Sequence, residues 1–203
     1  MRLAIPLFLG ALLLPVMVSA DPFEDLVARA FRCVPMADGN EVPTQGHRVP
    51  GIGVSIGLPL SWDAPLRTSR FDATVASPDG TTHVTITRQV LATESVASVI
   101  HQTERRHLGP DRQSTACVLA ANQRYRVEGA TEWSVRLHSA GLDRSNHRRT
   151  THALHFRVKD ALVSVMVEQR WVKGLPPSEA ETDAILRGVE LLAPPPGELI
   201  PSS

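Results

Sequence analysis

The sequence predicts an α+β fold, a mostly antiparallel sheet of about six to seven strands flanked by helices. Two observations carry that prediction. Residues 150–171 hold two apolar rows that alternate with period two about a tight turn, and further paired strand patterns stand on either side of them. Only three stretches show helical spacing, and they are set apart from one another rather than alternating strand by strand.

The 150–171 hairpin is the most specific of these patterns. Leu154, Phe156 and Val158 share one face of the first strand, and Val163, Val165 and Val167 share one face of the second. With Lys159-Asp160 as a two-residue turn, Phe156 falls opposite Val163 and Leu154 opposite Val165. Both apolar rows then lie on one side, and a slip of one residue would separate them.

The remaining elements follow in chain order. Residues 1–20 begin with Arg2, continue as an apolar run and end in Val18-Ser19-Ala20, the pattern of a secretory signal peptide cleaved between Ala20 and Asp21. An uncleaved anchor is the alternative, but the run is short for a span and contains Pro6 and Pro15. Residues 21–31 carry Phe23, Leu26, Val27, Ala30 and Phe31 at helical spacing. Residues 34–50, with three prolines and no periodicity, read as a loop. Together, residues 21–51 form an N-terminal helix and loop, residues 52–193 the α+β domain, and residues 194–203 a tail.

Within the domain, residues 52–58 alternate and read as a strand. A second hairpin is expected around Ser77-Pro78-Asp79-Gly80, with Phe71 opposite Ile86 and Ala73 opposite Val84. Residues 93–108 read as a helix capped by Thr93, with Val96, Val99, Ile100 and Thr103 as its buried stripe. Residues 117–127 and 131–138 read as strands joined at Gly129, with Tyr125 opposite Trp133. A last helix over residues 178–192 starts from the capping box Ser178 to Glu181.

Composition bounds the chemistry. Removing the first 20 of 203 residues leaves 183, enough for one domain with a core. It also leaves 20 basic against 21 acidic residues, so no basic face for nucleic acid is expected. Cys33 and Cys117 are the two cysteines, and in an exported chain a disulfide between them is expected, two buried thiols being the alternative.

The strand end Leu58-Pro59-Leu60-Ser61-Trp62, after GVSIG and before a hairpin, a helix, further hairpins and a terminal helix, resembles the PsbP-like superfamily. That group includes the photosystem II accessory protein, DcrB-like bacterial periplasmic proteins and a yeast Ran-binding protein of the same fold. The resemblance covers about residues 52–193. It implies a PsbP-like sandwich, and a binding or assembly role without catalysis.

Several patterns invite other chemistries. Gly53-Val-Ser55-Ile-Gly57 matches the serine-hydrolase G-x-S-x-G, but it lies within an alternating strand and runs into Pro59, without the helix the chemistry needs. Of the eight histidines, His147, His152 and His155 are densest. Residues three apart on a strand point to opposite faces, so a specific metal site is not expected there. His101 and His107 are six apart on a helix and poorly aligned. Glu128, Glu132, Asp160 and Glu168 could be imagined as paired carboxylates for acid-base work, but three of them fall at turns or on mixed faces, where solvated charge is the plain reading. No cofactor is expected.

The second face of the central hairpin carries His155, Arg157, Leu162 and Met166, and with Trp62 and Trp171 at strand ends it forms a possible partner face. A helix lying over that face is the competing reading, and Trp133 is expected in the core. The expectation for function is an exported, non-enzymatic accessory or binding protein, periplasmic or secreted, engaging a protein partner in the cell envelope. The alternatives are a small-ligand or metal carrier, or a small exported hydrolase using Ser55 or a histidine-bound metal. No membrane insertion is expected after cleavage.

Overall fold

Strands and turns dominate this computed structural model, which describes residues 41–63, 65–108, 115–120, 123–140, 148–171 and 178–193. The chain order is β1 (Thr44–Val49), β2 (Val54–Pro59), β3 (Arg67–Thr68), β4 (Asp72–Ala76), β5 (Thr82–Val90), α1 (Val96–Leu108), β6 (Thr115–Ala120), a 3-10 turn (Gln123–Tyr125), β7 (Glu132–Ala140), β8 (Arg148–Val158), β9 (Ala161–Trp171), α2 (Glu179–Arg187) and β10 (Glu190–Leu191). The fold is α+β and its sheets are antiparallel.

The central hairpin has the register read from its sequence, with Phe156 opposite Val163 and Leu154 opposite Val165. Lys159 takes a positive φ of 54° to close the turn. A seven-stranded sheet in the order β3-β4-β5-β9-β8-β7-β6 is built outward from this pair. The expectation of one sheet is corrected by a second, three-stranded sheet, β1-β2-β10. The strand expected at residues 52–58 is its middle member. β1 lies in the segment expected to be loop, because Val49 is its only fully buried side chain and an exposed edge strand shows no apolar alternation.

One buried cluster joins the two sheets and α2. Leu154, Phe156, Val163 and Val165 share it with Val54, Ile56 and Leu58 of β2 and with Ile185 and Leu186 of α2. The closest approach is at two glycines. Gly57 N donates to Gly188 O at 2.8 Å, and a Cβ on Gly188 would stand 2.9 Å from Gly57 Cα. The opposite face of the large sheet carries α1 through a smaller cluster of Val99, Ile100 and Leu162.

Four boundaries differ from the sequence reading. In the β4–β5 hairpin, Ala73 faces Ile86 and Val75 faces Val84, while Phe71 is 47% exposed. The four-residue loop is the length expected but sits one residue later. Asp79 fixes it by accepting from Ser77 Oγ at 2.6 Å and from Thr81 N at 3.0 Å. Tyr125 and Val127 leave the sheet after β6 and plug the core from a loop, so β7 pairs instead through Leu119 opposite Val135. α1 begins at Val96, and its cap is Ser95, whose Oγ accepts from Ser98 N at 3.2 Å. α2 ends at Arg187, because residues 190–191 pair with β2; Ser178 makes no side-chain cap.

The helix expected at residues 21–31, Cys33, His147 and the tail lie outside the described residues, and the side chain of Cys117 is likewise not described. Among the described residues no helix is long and apolar enough to cross a membrane.

Candidate functional site

Strand alternation builds a polar floor on the face opposite the core. β8 turns Phe156 into the core and therefore turns His155 and Arg157 away from it. The register then sets Ser134 of β7, His155 of β8 and Ser164 of β9 side by side across three strands. α1 lies over this row. Its apolar side chains Val99 and Ile100 rest on Leu162, and its next turn brings down Glu104.

Glu104 is the centre of a buried relay. Its carboxylate is ion-paired with Arg136, whose Nε lies 2.7 Å from Oε1, and it meets His155 Nε2 at 3.2 Å. His155 Nδ1 lies 2.8 Å from Ser164 Oγ. A carboxylate only accepts, so in the neutral ring Nε2 carries the hydrogen and Nδ1 accepts the Ser164 hydroxyl proton. Ser164, His155 and Glu104 are 1%, 1% and 5% exposed.

Serine, histidine and glutamate in that order form the proton relay of a nucleophilic hydrolase. Here its serine is buried. Beside α1 a cleft of about 320 Å³ opens over the sheet, and His155 lines it but Ser164 does not. Val96, Ala97 and Ile100 form the helix wall of the cleft, and Leu162 continues that apolar side. Ser134 and His155 form the floor, and Glu132, Arg136 and Arg157 the polar rim. A second hollow of about 510 Å³ runs along β4 and β5, and its only charged lining side chain is the exposed Arg67.

A second polar cluster closes the core at α2. Asp183, buried on α2, accepts from Arg124 Nε at 2.9 Å and Nη2 at 2.6 Å and from the Tyr125 hydroxyl at 2.8 Å, and it is ion-paired with Arg187, whose Nε lies 2.9 Å from Oδ2. Burial pushes its carboxyl up, but the bonds from Arg124 and Tyr125 and the charge of Arg187 outweigh that and hold it below the ordinary aspartate value. Burial, and then the hydrogen bond to Asp183, push the Tyr125 phenol up. The Asp183 bond also raises Arg124. This cluster pins the loop after β6 to α2.

The residues singled out in the sequence fall as follows. His155, Leu162, Met166, Trp62 and Trp171 are 1%, 2%, 3%, 5% and 7% exposed, so they form no open partner face. Trp62 enters the main core, and Leu162 lies under α1. Arg157 alone of the six reaches solvent, its side chain 40% exposed. Trp133 is half-buried against the core. Ser55 stands in the middle of the small sheet, opposite Arg48 on one side and Glu190 on the other, in extended backbone with no helix behind it. His152 is buried opposite Val167, as its register implied. Among the described residues no three His, Cys, Asp or Glu side chains gather as a metal site. Glu128, Glu132 and Asp160 are exposed, and Glu168 pairs with Arg149 and Arg170.

Sequence reasoning missed Glu104 and Asp183. The signal was there: each is an acid on the inward stripe of an amphipathic helix, where only a paired charge is tolerated.

No family model matches the chain, and no curated protein matches it. Among solved structures it is similar to a protein from Bacteroides thetaiotaomicron, with 13% identity and a TM-score of 0.46 over 74% of this chain. The chain spans about half of that protein, 49% of its length.

Proposed function

We propose that this chain is an exported, non-enzymatic binding protein of PsbP-like type that holds a small ligand in the cleft between α1 and the strands β7 and β8. One observation carries the choice of ligand over protein. The face expected to meet a partner is covered, and what opens beside the covering helix is a cleft of about 320 Å³, at the lower end of the range of small-molecule sites. Its build fits such a site, with an apolar wall and a few polar groups that converge. The signal-peptide pattern of residues 1–20 supports export to the periplasm or beyond, where a Cys33–Cys117 bridge would form. The absence of catalysis is supported by the placement of the two candidate serines, Ser55 in a strand ladder and Ser164 beneath α1.

Native mass spectrometry of the protein purified from its own cells tests this reading. A bound mass is expected on the wild-type protein and is expected to be lost from Ala97→Trp, which fills the cleft from its exposed wall. A bare wild-type mass, unchanged by the substitution, would refute it. An envelope protein captured in its place, and still captured by Ala97→Trp, would restore the protein-partner alternative.

A further inference from the structure

The charges at the cleft are not equally committed. Arg136 is held by the buried Glu104 at 2.7 Å and is only 24% exposed. Arg157 faces Glu132 at 4.0 Å, with side chains 40% and 58% exposed, a pair of the kind that contributes little. Its Nε is used by Lys159 O at 3.0 Å, which fixes the guanidinium and leaves its Nη groups directed elsewhere. In the strand register Arg157 stands opposite Glu132 and Arg136 opposite Ala153, four residues along β7, or roughly 13 Å. Of the two, Arg157 is the one whose present partner is easily displaced. The opposite wall, Val96, Ile100 and Leu162, is apolar. On the floor, His155 has both ring nitrogens engaged, so its part of the floor makes no demand on a ligand.

We infer that the cleft selects small organic acids, molecules with one carboxylate and an apolar body, the carboxylate paired with Arg157 and the body against Ile100 and Leu162. This rests on the reading of the cleft as a ligand site and names the class of ligand. Glu132 is then a competitor for Arg157, which gives the inference a substitution that should improve binding as well as one that should weaken it. Both residues are exposed, so neither change threatens the fold.

Calorimetric titration of the purified protein with sodium octanoate, 1-octanol and octylammonium chloride tests it. Octanoate is expected to bind saturably and octylammonium not at all. Arg157→Gln is expected to weaken octanoate about tenfold, the loss of one charge-assisted hydrogen bond. Glu132→Gln is expected to tighten it about two- to threefold, and neither change is expected to move 1-octanol. Equal binding of octanoate and 1-octanol, indifferent to both substitutions but abolished by Ala97→Trp, would overturn the acid selectivity and leave the cleft a ligand site. No binding of any probe would also overturn it, and the bound mass on the protein from cells then decides separately whether the cleft holds something else.

Discussion

Replacing Asp183 with Asn keeps the shape of the side chain and removes its charge, in a place where that charge organises three hydrogen-bond donors and an ion pair. The carboxylate takes two hydrogen bonds from Arg124 and one from Tyr125, and it is ion-paired with Arg187. Buried hydrogen bonds to charged groups contribute about 1.5–3 kcal/mol each, and a neutral one about 1. The outer partners dilute this, since Arg124 is 26% exposed and Arg187 37%. The Arg187 pair is an i,i+4 surface contact of a few tenths of a kcal/mol. Asn also turns an NH2 group toward one of the arginine donors. The expected loss is about 3 kcal/mol, the lower end for breaking a buried ion pair, or roughly 6–12 °C in Tm for a domain of this size. Urea denaturation at pH 7 measures it. The carboxyl is held below its ordinary value of 3.8, so the unfolded chain binds the proton more readily. The Asp183 contribution is therefore complete above about pH 5 and is lost as pH falls through and below 3.8. The gap between wild type and Asp183→Asn should close over that acid range. A loss below about 1 kcal/mol at pH 7, or a gap independent of pH, would refute the assignment of the cluster as the clamp of the β6–α2 connection.

Other changes test other joints of the fold. Gly188→Ala places a Cβ 2.9 Å from Gly57 Cα and 3.1 Å from Ala184 O, backbone atoms that cannot swing aside, so a loss of about 1–3 kcal/mol is expected in the same assay. An unchanged midpoint would show that β2 and α2 separate freely. Glu104→Gln removes the charge that holds Arg136 and His155 beneath α1. Amide exchange across Val96–Leu108 should speed up roughly 10- to 100-fold while β8 and β9 stay protected; uniform acceleration over both would mean that α1 is not an independent cover. Asp79→Ala removes the acceptor that places the β4–β5 loop, and about 1 kcal/mol or less is expected to go with it, since the site is exposed. A shift of Phe71 into the core, seen as a gain in its burial by NMR, would show that the loop had slipped to the other register.

The sequence by itself determined the centre of the large sheet. Phe156 opposite Val163 and Leu154 opposite Val165 follow from period-two rows on both sides of a two-residue turn, and the wrong register would expose every one of those side chains. It determined the α+β class and the site of α1 for the same reason, since apolar periodicity is a local property. It did not determine β1, whose exposed side chains need no pattern, nor the departure of Tyr125 from the sheet, which answers to an aspartate 58 residues away. The β4–β5 loop was of the right length and one residue out of place, because Asp79 rather than the apolar row chose its position. The candidate site belongs wholly to the second kind. Glu104, Arg136, His155 and Ser164 come from four elements, and the cleft exists only because a helix covers part of a sheet face and leaves the rest beside it open. Local spacing states which face a side chain takes; which helix settles on that face, and where it stops, is decided by tertiary contacts that no single stretch of sequence contains.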